Sequence, residues 1–304
     1  PKYINGEDKN KNMPPRKREI QFRGKELSLP TLFPVRNLGK RWSDNTPNYA
    51  QNIPDFNTAM VNSGSILKKP AVSQEAQSSS IHSALDFEGV VFADSGGFDY
   101  GNREDAPNPQ ELLAMQEEMS ADIIATLDLP VLSNMSRDEK NSRIKQNIKY
   151  ALQASENRSD DYLLFASIHG RDSRTIVNTI NHLERKGDFD GYAIGGLVPV
   201  RSDYKKVIDI ILAARNSTDK PIHVYGLGGF LYTLLLIYLG VDSFDSSAFV
   251  RCGGNRKYYL PSFGMDSISN FEQMERAPCT CHVCTEHSLS EIREERDLIT
   301  QHNL

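Results

Sequence analysis

The stretch Val241-Asp242-Ser243-Phe244-Asp245-Ser246-Ser247-Ala248-Phe249 reads as a short strand, buried along most of its length, that carries the carboxylate of Asp245 where charge is expensive. An Asp in such a strand is either a hydrogen-bonded structural residue or a working group. Asp245 is read as a nucleophile, and the rest of the chain supplies the grounds.

Seven further β-type runs precede it: Leu29 to Val35, Thr58 to Asn62, Gly89 to Ala93, Asp122 to Leu127, Tyr162 to Ile168, Gly191 to Ile194 and Ile222 to Tyr225. The last strand is predicted over Ser243 to Phe249. Helical patterns fall between many of them, at Pro109 to Met119, Arg137 to Ser155, Arg174 to Arg185, Tyr204 to Ala214 and Phe230 to Leu239. In the second of these, Ile144, Ile148, Ala151 and Leu152 recur at helical spacing and form an apolar stripe suited to packing on a sheet. Eight strands with interleaved helices predict an α/β fold, a (β/α)8 TIM barrel, with a doubly wound open sheet as the alternative.

That fold places working groups at the C-terminal ends of its strands. The residues at those ends are Asp94, Asp128, His169, Gly195 with Gly196, Gly226 with Gly228, and Asp245. Glycines there let a flat ligand lie against backbone amides. Each glycine alone could equally make a tight turn, and only the coincidence with three strand-end carboxylates indicates a site. Two carboxylates facing one pocket suit the cleavage and re-formation of a glycosidic bond, one attacking the anomeric carbon and the other managing the leaving group's proton. Asp94 and Asp245 form that pair.

With 304 residues, 38% hydrophobic and 25% charged, the chain has the composition of an ordinary globular protein. It shows no apolar run of membrane-spanning length and no signal sequence, so no membrane partner is expected and a cytoplasmic location is the default. A net charge of −5 argues against non-specific coating of nucleic acid but allows a local basic patch. Three of the four cysteines, Cys279, Cys281 and Cys284, fall together, which suits a metal better than a disulfide framework. His302, His287 and His282 all compete on spacing to complete four ligands. Residues 1–19 read as a flexible, mildly basic arm, residues 20–250 as the barrel and residues 251–304 as a zinc-binding subdomain packed on it. Cys252 reads as a free thiol.

Five motifs carry a resemblance. Asp94-Ser-Gly-Gly-Phe98, Asp190-Gly-Tyr-Ala-Ile-Gly-Gly-Leu-Val-Pro199, Tyr225-Gly-Leu-Gly228, Phe244-Asp-Ser-Ser-Ala-Phe249, and Cys279-Thr-Cys-His-Val-Cys284 with His302-Asn-Leu304 follow one another in register. Together they resemble the tRNA-guanine transglycosylase family, its archaeal branch more than its bacterial one, from about residue 29 onward. The resemblance implies a TIM barrel with a structural Zn2+ subdomain and exchange of guanine in a polynucleotide for a free 7-deazaguanine base. Carried over by position, Asp245 is the nucleophile at C1′, Asp94 the general acid/base, and Asp128 the reader of the purine edge. Gly195, Gly196 and Leu197 line the base pocket, with Ser95, Phe98, His169 and Gly226 completing its surroundings. Cys279, Cys281, Cys284 and, chosen by the resemblance, His302 are the metal ligands.

Two departures bear on the substrate. The family's Val-Gln-Gly turn is Ile168-His169-Gly170 in this chain, and Val198-Pro199-Val200-Arg201 follows the Gly-Gly-Leu turn in place of a bacterial-type Glu. The second favours the nitrile-bearing base, 7-cyano-7-deazaguanine (preQ0). Because the sequence ends two residues after His302, with no further RNA-binding region, the chain is read as most like the DNA 7-deazaguanine transglycosylases of bacterial and phage modification systems, with helper proteins of such a system as implied partners. DNA is therefore the expected polymer and tRNA the alternative; an oligomer stays open. Arg251, Arg256 and Lys257, and also Arg36, Lys40 and Arg41 with Trp42, are candidate phosphate contacts, each equally readable as solvated surface charge. Competing classes are a non-catalytic nucleic-acid-binding accessory subunit and a nucleosidase; the presence of both Asp94 and Asp245 speaks against the first.

Overall fold

The computed structural model describes residues 2–5, 16–36, 38, 57–100, 106–132, 134–261, 264–271 and 279–304. Eight parallel strands close into a barrel: β1 (Thr31–Arg36), β2 (Thr58–Asn62), β3 (Val90–Asp94), β4 (Ile123–Ala125), β5 (Leu163–His169), β6 (Gly191–Gly195), β7 (Ile222–Val224) and β8 (Ser243–Ser246). Each strand pairs with the next in the chain, and β8 closes the ring on β1 with Asp245 opposite Phe33. Helices Pro109–Glu118, Arg137–Glu156, Ser173–Lys186, Tyr204–Arg215 and Phe230–Tyr238 lie between strands where the periodicity predicts them. The second begins in a capping box, with Ser136 and Glu139 satisfying each other's backbone amides.

The β-type runs give the eight barrel strands with small shifts at their ends. The largest is at Ser243–Phe249, where the strand stops at Ser246 and Ala248–Gly254 turns into a helix. The Ser246 hydroxyl accepts the Ala248 amide at 3.0 Å, which turns the chain out of the barrel. Three short helices between β2 and β3, Ser63–Leu67, Pro70–Ser79 and Ile81–Leu85, were not expected. Pro70 looks like a breaker in the sequence, but it occupies the first turn, where a missing N–H costs nothing.

The predicted arm is also corrected in part. Lys2–Asn5 pairs antiparallel with Arg18–Phe22, which forms a hairpin with Lys25–Leu29 through Arg23 and Gly24, both at positive φ. This hairpin plugs the N-terminal end of the barrel. Ile20, Leu27 and Leu29 are buried in one apolar cluster with Val90, Ile123 and Leu163, and above them Phe33, Phe92 and Phe165 pack edge to face at 5.5 and 5.4 Å.

The same end holds three buried aspartates, each immediately before a strand. Asp122 accepts from the Val91 amide and pairs with Lys25 and His82. Asp190 accepts from the Leu164 amide and pairs with Arg158. Asp242 accepts from the Ile222 amide and pairs with Arg215 and Arg18. Every one of them is neutralised by a cation and tied to the neighbouring strand, so these carboxylates staple the barrel.

Beyond β8, the hairpin Lys257–Leu260/Gly264–Ser267 and helices His282–Glu286, Leu289–Glu294 and Arg296–Asn303 surround a second small core of Tyr258, Ile268, Phe271, Val283, Leu289, Ile292 and Ile299. The last two helices are separated by Glu295, whose backbone is extended. No helix among the described residues is long and apolar enough to cross a membrane.

Candidate active site

At the opposite, C-terminal mouth no lysine or arginine among the described residues pairs with the aspartates, whose ring partners are His169 and His223. Asp94 ends β3, Asp128 follows β4 and Asp245 is the third residue of β8. Strand alternation turns Phe244 outward into the main core and leaves Ser243 and Asp245 on the inner face.

Asp245 is held through one oxygen. Its Oδ1 accepts the Gly226 amide at 2.7 Å and lies 3.3 Å from Nε2 of fully buried His223. The Ser243 hydroxyl, 2.9 Å from His223 Nδ1, can donate there and direct the Nε2 proton to Asp245. Among the described residues Oδ2 has no hydrogen-bond partner, so one oxygen is anchored and the other is left for chemistry. Gly226 adopts φ +70°, a conformation that side-chain-bearing residues resist, and this aims its amide at Asp245.

Asp128 is held on both oxygens: the Ser95 hydroxyl donates to Oδ1 at 2.6 Å, and His169 Nε2 stands 2.5 Å from Oδ2. A carboxylate has further lone pairs for a ligand's N–H groups. Among the described residues the buried His169 Nδ1 has no hydrogen-bond partner. It abuts the Gly195-Gly196 turn, where a Cβ on Gly195 would stand 2.5 Å from the imidazole ring. His169 in the Ile168-His169-Gly170 turn thus braces Asp128 and leaves one ring nitrogen facing that turn.

Asp94 accepts the Gly96 amide at 3.3 Å. Burial first, then the Asp128 and Asp245 carboxylates, push its carboxyl up to about 8, against partial relief from Gly96 and Tyr225. Three carboxyl groups share the pocket, no lysine or arginine among the described residues acts on Asp94, and its carboxyl keeps its proton near neutral pH.

Other expected positions differ in their surroundings. The Leu197 side chain is buried in the main core, so its turn offers backbone rather than an apolar wall. Phe98 stands out at the mouth with 79% of its surface exposed. Arg251 is exposed just past β8 and donates to Ser247. The Arg256 guanidinium engages the Arg293 carbonyl, and Lys257 lies in the C-terminal hairpin. Arg36 reaches the Leu85 carbonyl, while Lys40, Arg41 and Trp42 lie outside the described residues. Ser167, His223 and Tyr225 were missed. Their signal was the two-residue period, since Ser167 shares a strand face with His169, and His223 with Tyr225.

Cys279, Cys281, Cys284 and His302 bring four ligand atoms within 4.8 Å of one another. His302 Nε2 donates to the Tyr259 carbonyl at 2.7 Å, which fixes the tautomer and leaves Nδ1 3.3 Å from both Cys281 and Cys284 sulfurs. Tyr258 stacks on the His302 ring at 3.7 Å. Three sulfurs and one oriented imidazole nitrogen fit a four-coordinate metal with no open position. The cluster selects His302 over His282, which pairs with Glu286, and over His287.

The family model described as "Queuine tRNA-ribosyltransferase" matches residues 12–304. Curated relatives include the tRNA-guanine(15) transglycosylases of Methanococcus maripaludis, 28% identical over 298 residues, and of Methanocaldococcus jannaschii and Thermococcus onnurineus, each 26% identical over 298 residues. In each case the alignment covers 94% of this chain, and it covers 46%, 45% and 50% of the respective relative. The chain therefore spans about half the length of the curated relatives it matches.

Proposed function

The chain belongs to the queuine tRNA-ribosyltransferase family, and from that premise we propose that it exchanges a guanine in a nucleic acid for a free 7-deazaguanine base through a covalent Asp245 intermediate. One observation carries the reading: three carboxyl groups meet at the barrel mouth with no lysine or arginine paired to them among the described residues, an environment that pushes the Asp94 carboxyl up to about 8.

In the first half-reaction an Asp245 oxygen bonds to C1′ as the C1′–N9 bond breaks. The bonding pair goes to the departing base, which takes the Asp94 proton. In the second, Asp94, now a carboxylate, takes the N9 proton of the 7-deazaguanine, whose N9 bonds to C1′ as the ester breaks and Asp245 recovers its charge. Ester formation removes the Asp245 charge, one of the causes of Asp94's raised value. Asp94 then holds its proton less tightly, which suits its change from acid to base. Asp128, braced by Ser95 and His169, accepts from the base's N–H groups. Zn2+ held by Cys279, Cys281, Cys284 and His302 would clamp the C-terminal segment, a structural role.

The polymer we propose is tRNA. The archaeal relatives carry it in their names, whereas the expectation of DNA rested on where the sequence ends, which is no evidence about the polymer. The replacement base we propose is 7-cyano-7-deazaguanine, on the Val198-Pro199-Val200-Arg201 segment. Purified protein given labelled 7-cyano-7-deazaguanine with tRNA or duplex DNA should label tRNA. Label in DNA alone overturns the choice of polymer; label in neither overturns base exchange. Release of free guanine without incorporation would indicate a nucleosidase.

A further inference from the structure

The rim of the mouth beside β6 and β7 carries an aromatic pair that no step above uses. Tyr204 opens the helix Tyr204–Arg215 and Tyr232 lies in the first turn of the helix Phe230–Tyr238, both at the end of the barrel where strands run into helices. Their rings are parallel to within 13° with centroids 5.7 Å apart, and 53% of Tyr204 stays exposed. Contacts join the pair to Asp245. The Gly226 amide holds Asp245, and a Cβ on Gly226 would come within 2.8 Å of Val198. The Val198 carbonyl accepts the Arg201 amide at 3.3 Å, and the Arg201 carbonyl accepts the Tyr232 hydroxyl. The tyrosines therefore stand one loop away from the anchor of the proposed nucleophile. Charge there is positive: segments 171–174 and 201–209, joined where the Ser173 hydroxyl donates to the Asp209 carbonyl at 3.0 Å, hold five lysines and arginines against three aspartates, in a chain of net charge −5. Two of those aspartates, Asp172 and Asp203, cap helices.

We propose that Tyr204 and Tyr232 form a nucleotide subsite: an unpaired base next to the exchanged one stacks on Tyr204, while Arg201, exposed on the adjoining turn, meets its phosphate. The inference rests on the reading of the chain as a base-exchange enzyme acting on a nucleic acid. A base reaches Asp245 only after leaving its stack, so its neighbour in the strand loses a stacking partner. An exposed aromatic ring replaces that partner whatever the base, because every base has a π-face. Tyr232 backs the Tyr204 ring, and its hydroxyl ties it to the Arg201 backbone, so platform and charge are held as one unit. The local surplus of positive charge suits a phosphate backbone and not an apolar protein segment. A purely packing role would need Tyr204 covered, and more than half of it is open.

The test is equilibrium binding of fluorescently labelled tRNA and duplex DNA to the full chain, followed by anisotropy beside the exchange kinetics. Tyr204→Ala should weaken binding of the polymer that the wild type binds by about tenfold and raise its KM to match, with kcat and KM for the free base within about twofold. Tyr204→Phe should keep the wild-type affinity, since the ring and not the hydroxyl is used, whereas Tyr204→Leu, apolar but not aromatic, should lose it. Arg201→Ala should lower the slope of log affinity against log salt by about one, and Tyr204→Ala should leave that slope unchanged. A Tyr204→Ala variant that binds and exchanges like the wild type overturns the inference while base exchange stands, and a Tyr204→Leu variant with wild-type affinity overturns stacking. A wild type that labels neither polymer, yet loses affinity in Tyr204→Ala, overturns base exchange and leaves the nucleotide subsite. A wild type that binds neither polymer overturns both.

Discussion

Replacing Asp94 by Asn should stabilise the protein while abolishing exchange, and the gain should depend on pH. Folding lifts the Asp94 carboxyl from its ordinary 3.8 to about 8, so between those values the folded chain keeps a proton that the unfolded chain has released. Its contribution to stability is fully present below about pH 4 and is lost progressively as pH rises to about 8. At pH 7 the group is held roughly three pH units above its ordinary ionisation, worth ~4 kcal/mol at ~1.4 kcal/mol per unit. The side chain keeps some contact with solvent at the mouth, which lowers the expected gain to about 2–4 kcal/mol. Asn is nearly isosteric, carries no proton to regulate and can still accept the Gly96 amide. Denaturant titrations of both proteins at pH 5, 6, 7 and 8 should show a difference that grows at each step, with the Asp94→Asn variant melting about 4–8 °C higher at pH 7. A difference that does not change with pH, or an Asn variant less stable at pH 8, refutes the argument.

Asp245→Asn should lower exchange by about 10⁴-fold or more with the barrel intact, and it should let Asp94 ionise at lower pH because one neighbouring charge is gone; rapid-quench assays and carboxyl NMR check the two halves. His223→Phe should keep the barrel filled but remove one of the two contacts that anchor Asp245 Oδ1, leaving the Gly226 amide, and so lower kcat with little change in KM for the base. Gly195→Ala forces a Cβ to within 2.5 Å of the His169 ring, so base affinity should fall about tenfold or more in equilibrium binding. Chelation should strip one metal ion per chain and expose residues 279–304 to protease, while β1 to β8 keep their far-UV signal; protection of that segment after metal loss would rule out the clamp.

What could be read from the sequence was what local chemistry determines. Strands such as Leu163–His169 and helices such as Arg137–Glu156 announce themselves through unbroken apolar runs and an apolar stripe. The strand-end carboxylates followed once the barrel was assumed, because the fold places the C-terminal end of every strand at one mouth. The short helices between β2 and β3 escaped because their apolar residues are few and Pro70 resembles a stop. The N-terminal strand Lys2–Asn5 escaped because its partner lies beyond a polar stretch, and pairing at that distance leaves no local trace. Ser167, His223 and Tyr225 escaped for a different reason: each is an ordinary core residue until the opposite strand supplies its partner.

The six aspartates nearest the strands make the same point with one residue type. Asp122, Asp190 and Asp242 precede strands, and Asp94, Asp128 and Asp245 lie at or near strand ends, so neighbouring sequence alone gives both sets an acid beside an apolar run. Their environments are opposite. Arg18, Lys25, Arg158 and Arg215 arrive from the hairpin and from positions in or just past helices to neutralise the first set. At Asp122, burial works to raise the carboxyl, but His82, Lys25 and the Val91 amide outweigh it and hold the group below its ordinary value. At Asp94 the same burial meets two more carboxylates instead of a cation, and the value goes up. Burial is common to both ends of the barrel, so it cannot be what separates the staples from the proposed site. The separating variable is the sign of the neighbouring charge, which the sequence distributes across distant segments and only the closed barrel brings together. An Arg placed to pair with Asp94 should therefore convert it into a fourth staple, with stability that no longer falls from pH 4 to 8 and with exchange lost.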